Sequence, residues 1–163
     1  MEQRNMLSGI KVIDLSRNLA APFCTMILSD LGAEIIKVES PKGDDARTYG
    51  PFINGKSGYF MSINRGKKSV TLDLKKPEDK AKLAKLLKDA DVMIDNFRPG
   101  VLDRMGITEE WVNQINPALI FASLTGFGQT GPYRTKAAYD MVVQGYGGIM
   151  SITGQPGGEP TRV

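Results

Sequence analysis

The residues able to do chemistry in this chain gather in short polar stretches at the ends of apolar runs. The clearest is ADVMIDNFRPGVLDRMG, residues 90–106, where an apolar run from Val92 to Ile94 breaks at Asp95 and Asn96 and a short helix restarts at Pro99. Arg98 and Arg104 flank that helix start. Similar placements put Lys42 and Arg47 after one β-branched run, Arg65, Lys67 and Lys68 before another with Lys75 after it, and Arg134 and Lys136 before the last helical pattern. Open α/β sheets bind ligands beyond the carboxyl ends of their strands. Several cations there suit phosphates, each charged hydrogen bond contributing about 1.5–3 kcal/mol. An arginine also offers a flat face for a nucleobase. Individual lysines read first as solvating charges, whereas Arg104, just ahead of Met105 and Gly106, reads as functional.

The acids to weigh are Asp14, Asp73, Asp95 and Asp140. Asp14 and Asp95 end apolar strands, where a carboxylate can simply cap a turn or helix. Asp140 reads equally as a first-turn acid satisfying helix amides. No pair of them has a spacing that identifies acid–base chemistry. The chain contains no histidine, which removes a Ser-His-Asp triad, a Cys-His pair and histidine metal ligation together. The single cysteine, Cys24, lies among apolar residues and reads as a buried structural thiol; one cysteine permits no internal disulfide and fits a reducing cytoplasm.

The elements that must position these groups alternate. KVIDL (11–15), EIIKVE (34–39), KSVTLDL (68–74), DVMI (91–94) and LIFASLTG (119–126) read as strands. APFCTMILSDLG reads as a helix with Pro22 in its first turn and Gly32 at its stop. KPEDKAKLAKLLKDA reads as an amphipathic helix with Ala84, Leu87 and Ala90 inward and Lys82, Lys85 and Lys88 outward. EEWVNQIN is a short helix, AAYDMVVQGYGGIMSITG a helix running into a glycine-rich tail, and residues 40–58 a long loop. Alternation of this kind predicts an α/β fold, a Rossmann-like, mostly parallel sheet with helices on both faces. A nicotinamide site is excluded, because SRNLAAP follows the first strand without one of the glycines a pyrophosphate turn needs.

At 163 residues the chain is one domain's worth of polypeptide. A formal net charge of +3 does not call for nucleic acid, though a local excess suits a small polyanion. MEQRNMLSGIKVIDL holds no continuous apolar leader, and nothing approaches the roughly 18 apolar residues of a membrane span, so a cytoplasmic protein is expected. GQPGGEPTRV ends in a turn-like segment, read either as a frayed terminus or as the front part of a longer protein.

Five blocks, in order and over nearly the whole chain, resemble the class III CoA-transferase family. They are LSGIKVIDLSRNLAAPFCTMILSDLGAEIIKVESP, NRGKKSVTLDLKKPE, ADVMIDNFRPGVLDRMG, PALIFASLTGFGQTGPY and AAYDMVVQGYGGIMSITG. The family includes formyl-CoA:oxalate and carnitine CoA-transferases, with α-methylacyl-CoA racemases as relatives. The resemblance implies that coenzyme A is held at Leu72, Asp73, Leu74 and Lys75, at Asn96, Phe97 and Arg98, and at Arg104. It implies that Lys136, Ala137, Ala138, Tyr139 and Asp140 lie along the pantetheine, and that Ala20 stands beside the thioester, with the preceding SRNL helping to select the acyl group. Ser40 stands where some members carry an arginine against the adenine.

The resemblance further implies a transferase moving coenzyme A between an acyl-CoA donor and a small carboxylic acid, with no cofactor beyond that substrate and no metal. In the family an aspartate attacks the thioester, giving a mixed anhydride and then an aspartyl-CoA thioester. That aspartate matches a position beyond Val163, so no catalytic residue is expected within these residues. Residues 1–163 are then the N-terminal part of a CoA-binding large domain that lacks its closing elements and second domain, with no transfer expected of it alone, and the full-length protein is expected to be an interlocked homodimer. Two other readings stay open. A racemase needs a histidine where this chain has Tyr139, and a non-catalytic CoA-binding module needs no downstream aspartate.

Overall fold

The computed structural model describes residues 5–163. The chain divides into two compact units, Met1–Leu124 and Thr125–Val163. In the first, strand β1 (Lys11–Asp14) leads to helix α1 (Ala20–Asp30) and strand β2 (Glu34–Glu39). A 3-10 turn (Asp45–Thr48), the small strands β3 (Phe52–Ile53) and β4 (Lys56–Ser57), and helix α2 (Gly58–Ile63) follow. Next come β5 (Lys68–Thr71), α3 (Pro77–Lys88), β6 (Val92–Asp95), α4 (Val101–Arg104), α5 (Glu109–Ile115) and β7 (Ile120–Ser123).

The main sheet has five strands in the order β5-β2-β1-β6-β7, and every pairing is parallel. Chain order runs outward in both directions from the β1–β6 pair, which makes that pair the topological switch point. Register sets the two faces: Val12 pairs with Ile35 and with Val92, while Ile13 pairs with Ile36 and Met93. Val12, Ile35 and Ile94 pack with Ala21, Cys24 and Leu28 of α1. Ile13 and Met93 face the other way, toward Leu83 and Leu87 of α3, Leu102 of α4 and Val112 of α5. The expected sheet with helices on both faces is therefore present.

Local signals account for most boundaries. Pro77 opens α3, Glu78 and Asp79 occupy its first turn, and Lys85 and Lys88 its last, complementing the helix dipole at both ends. The Thr108 Oγ1 accepts from the Trp111 amide 3.1 Å away and starts α5. Past α1, Gly32 sits at φ +103°, and a Cβ there would collide with Asn5. Only glycine meets both demands at low cost.

Three expectations change. Residues 40–58 are not one long loop: they hold the 3-10 turn and the β3–β4 hairpin, and α2 begins at Gly58. Ser57 anchors that start, its Oγ accepting from the Phe60 amide at 3.0 Å while donating to the Ala46 carbonyl at 2.9 Å. In α3 the innermost residues are Leu83 and Leu87, with Ala84 only half-buried, because the buried stripe lies closer to Leu83. The strand expected over 68–74 ends at Thr71, opposite Glu39, where its one partner β2 also ends.

In the second unit, helix α6 (Asp140–Tyr146) runs into the glycine-rich tail expected after it, which holds a 3-10 turn at Ile149–Ser151. Gly147 and Gly148 end the helix, the latter at φ +77°. Phe127, Tyr133 and Tyr146 form an edge-to-face trio with centroids 5.3–5.9 Å apart. No residue of this unit is buried.

Candidate functional site at the switch point

The carboxyl ends of β1 and β6 carry the segment Ser16–Asn18 and the pair Asn96–Phe97. The Asn96 Oδ1 accepts from the Arg17 amide at 2.8 Å, and its Nδ2 donates to the Arg17 carbonyl at 2.7 Å. One side-chain amide thus holds both backbone groups of Arg17 across the switch point. The Arg17 guanidinium lies over the Phe97 ring, 5.0 Å from its centroid, and 3.9 Å from Asp45.

Beneath this loop lies a buried ionic network. The Asp14 Oδ1 accepts from the Ser16 amide at 2.9 Å and also from the Ser16 hydroxyl; Oδ2 accepts from Thr25 at 2.6 Å and from Lys67 at 3.1 Å. The Lys67 ammonium also donates to the Pro22 carbonyl at 2.8 Å and to the Asn64 Oδ1 at 2.9 Å. Burial lowers the Lys67 pKa and Asp14 opposes that shift. Lys37, 1% exposed, donates to the Ser16 carbonyl at 2.7 Å with its ammonium 2.9 Å from the Asp44 Oδ2. Arg47 forks onto Glu39 at 2.6 and 2.7 Å, and Ser69 donates to Glu39 at 2.6 Å. Burial works to raise the Glu39 pKa, but these bonds and the Arg47 charge hold it at about 2.

These pairings sort the cations expected to face phosphate. Arg47, Lys67 and Lys68 are engaged with Glu39, Asp14 and Glu34, and Arg65 with Asp30. Carboxylates on β1, β2 and α1 have claimed them, a pairing that spacing along the chain does not reveal. Lys42, Lys75, Arg98 and Arg104 are exposed, and their side chains have no hydrogen-bond or ion-pair partner among the described residues.

Two adjoining cavities open on this edge. One, of about 460 Å³, is lined by Ser16, Arg17, Ser40, Lys42, Leu72, Asp73, Leu74, Lys75, Phe97 and Met105 among others. The second, of about 450 Å³, is lined by Lys75, Lys80, Val101, Arg104, Met105 and Gly106. Lys75 and Met105 border both, so the two form one continuous groove. Its far end is cationic, and Lys80 steadies it by donating to the Met105 carbonyl at 3.1 Å.

Of the residues singled out from sequence, Leu72, Asp73, Leu74, Lys75, Phe97 and Arg104 line this groove. Asn96 stands behind it with its amide committed to Arg17, and Arg98 and Ala20 are exposed outside its lining. Lys136, Ala137, Ala138, Tyr139 and Asp140 belong to the second unit. There the Lys136 ammonium sits 4.0 Å from the Tyr133 centroid and donates to the Tyr146 hydroxyl at 2.8 Å. Tyr139 is 72% exposed and precedes α6, and Asp140, in its first turn, accepts from Gln144 at 2.7 Å. Cys24 is half-buried in the α1 face of the core, less enclosed than its apolar setting suggested. Lys80 was not picked out as a ligand contact, whereas Lys42 stood among the cations expected after strand ends and Arg17 lies in the SRNL segment expected to help select the acyl group.

No helix among the described residues is long and apolar enough to cross a membrane. The model of CoA-transferase family III matches residues 7–163. The chain is 53% identical over 156 residues to an acetyl-CoA:oxalate CoA-transferase of Acetobacter aceti, covering 95% of this chain and 40% of that protein. It is 47% identical over 158 residues to a human succinyl-CoA:glutarate CoA-transferase, covering 96% and 36%. The crystal structure of a CAIB/BAIF family protein from Brucella suis superposes with a TM-score of 0.92 at 48% identity, covering 99% of this chain and 44% of that one. The chain therefore spans about 40% of the length of the curated relatives it matches. With the parallel sheet, the switch-point groove and this match in hand, the chain belongs to CoA-transferase family III.

Proposed function

We propose that these residues are the N-terminal part of the CoA-binding large domain of a transferase that moves coenzyme A between an acyl-CoA donor and a carboxylic acid. The observation that carries this reading is the groove along the carboxyl edge of the sheet, with Lys75 and Arg104 unpaired at one end and Phe97 and Leu72 along it. Its chemistry suits an elongated ligand with phosphates at one end and an apolar middle. The relatives named above, an acetyl-CoA:oxalate and a succinyl-CoA:glutarate CoA-transferase, support a carboxylic acid as acceptor.

In this reading Leu72–Lys75, Phe97 and Arg104 contact the nucleotide end, and Asn96 contributes through the Arg17 peptide it holds. Lys136–Asp140 follow the pantetheine, and Ala20 lies beside the thioester. The nucleophile is an aspartate outside these residues. Its carboxylate attacks the thioester carbon and expels the CoA thiolate, which then attacks the resulting anhydride, releases the first acid and leaves an aspartyl-CoA thioester. The complete protein works as a homodimer and needs no metal. Calorimetry with coenzyme A on the complete polypeptide, paired with a thioester-exchange assay between an acyl-CoA and a dicarboxylic acid, tests the proposal. Absence of both binding and exchange would refute it.

A further inference from the structure

We infer that Lys37 is a positioning residue, which together with Asp44 locks the Ser16–Asn18 loop into its ligand-ready shape before any ligand arrives. Five successive backbone groups of this loop are held by side chains from outside it or from the strand end. The Ser16 amide goes to Asp14, the Ser16 carbonyl to Lys37, both Arg17 groups to Asn96, and the Asn18 amide to the Asp44 Oδ1 at 3.1 Å. Asn18 adopts φ +65°, a left-handed conformation that asparagine tolerates better than most side chains, and the Tyr49 hydroxyl donates to its Oδ1 at 3.0 Å.

Lys37 is the least expected member of this set. It sits on β2, in the middle of the sheet, with its side chain 1% exposed and that of Asp44 wholly buried. An ammonium in that position needs compensation. It finds the Asp44 charge, together with a carbonyl from the loop that forms the wall of the groove. Asp44 in turn spends its other oxygen on the Asn18 and Ala46 amides. The pair therefore ties β2, the 3-10 turn and the loop after β1 to one geometry. A loop held in this way gives the ligand a formed wall, and binding does not have to supply the ordering.

The inference rests on the proposed function for the ligand and on the geometry alone for the clamp. Its test uses the complete polypeptide and the double substitution Lys37→Met/Asp44→Leu, which swaps the buried pair for apolar side chains of similar bulk so that no charge is stranded. Hydrogen exchange should show the Arg17 amide, whose Asn96 acceptor is untouched, losing protection while Val12 and Ile13 in β1 keep theirs. Coenzyme A affinity should fall about tenfold or more, since only a fraction of molecules then hold the competent loop, and saturating ligand should restore Arg17 protection. In turnover the loss should fall on KM rather than kcat. Unchanged Arg17 protection, or protection lost evenly through β1, would overturn the inference. Unchanged affinity in a folded double variant would do so as well. Wild-type protein that ignores coenzyme A would sink the functional reading, and the exchange comparison would then decide by itself whether Lys37 holds the loop.

Discussion

Arg104 and Lys75 end in open solvent at the groove, while Arg47, of the same charge, is spent on Glu39. That contrast predicts where substitution matters for the ligand. Arg104→Ala should weaken coenzyme A binding by about tenfold to a hundredfold, the worth of one charged hydrogen bond, and calorimetry on the complete polypeptide measures it. Two buried carboxyls should make opposite marks on stability. Glu39 has its pKa lowered from 4.5 to about 2, so its contribution is present above pH 4.5 and is lost as pH falls toward 2. The advantage of wild type over Glu39→Gln should shrink across that window. Asp95 has its pKa raised above 3.8 by burial, against the bonds from the Phe97 amide and Ser123. Its protonated form is the favoured one in the fold, so wild type should lose ground to Asp95→Asn as pH rises from 3.8 through the raised value. Denaturant titrations of the three proteins across pH check both signs.

At the scale of elements, the helical and strand periods made most of the first unit legible. The Lys82, Lys85 and Lys88 face of α3 is exposed as expected, and Leu87 is wholly buried. Leu87→Ala should cost about 2–5 kcal/mol of stability, whereas Lys85→Ala should cost under about 0.5 kcal/mol, as thermal or denaturant unfolding would show. What periodicity missed is α2. GYFMSI follows a glycine- and proline-rich stretch and is only half-buried, so neither pattern nor flanks marked it. Its start depends on Ser57, whose carbonyl partner Ala46 lies eleven positions earlier. The helix expected to run into a glycine-rich tail is α6, and Gly147 and Gly148 end it as those glycines signalled.

For the molecule as a whole, the two units differ in kind. The first has a core on each face of its sheet, and the second has no buried residue and leaves Tyr139, Met141, Val143, Tyr146 and Ile152 exposed. Apolar surface of that extent in so small a unit favours association. A polypeptide of residues 1–163 alone is therefore expected to self-associate, and under the proposed function it should bind coenzyme A weakly and form no covalent intermediate. Light scattering and intact-mass analysis after incubation with acyl-CoA test this. A stable adduct on any aspartate within these residues would place the nucleophile inside them.

The sequence by itself determined the class of fold and the edge that carries the site. Both follow from short-range rules: the alternation of strand and helix periods, and polar residues placed at strand ends. It also carried the groove residues Leu72–Lys75, Phe97 and Arg104, through order and resemblance. Only the tertiary structure decided which charges are available. Lys37 and Asp44 look from the sequence like any other polar residues, and Asp14 and Lys67 like candidate ligand contacts, yet strand pairing brings β1, β2 and the chain before β5 together and buries all four side chains. Whether a lysine serves a ligand or the fold depends on which carboxylate lies within about 3–4 Å of it, and that distance is set by neighbours tens of residues away in the chain.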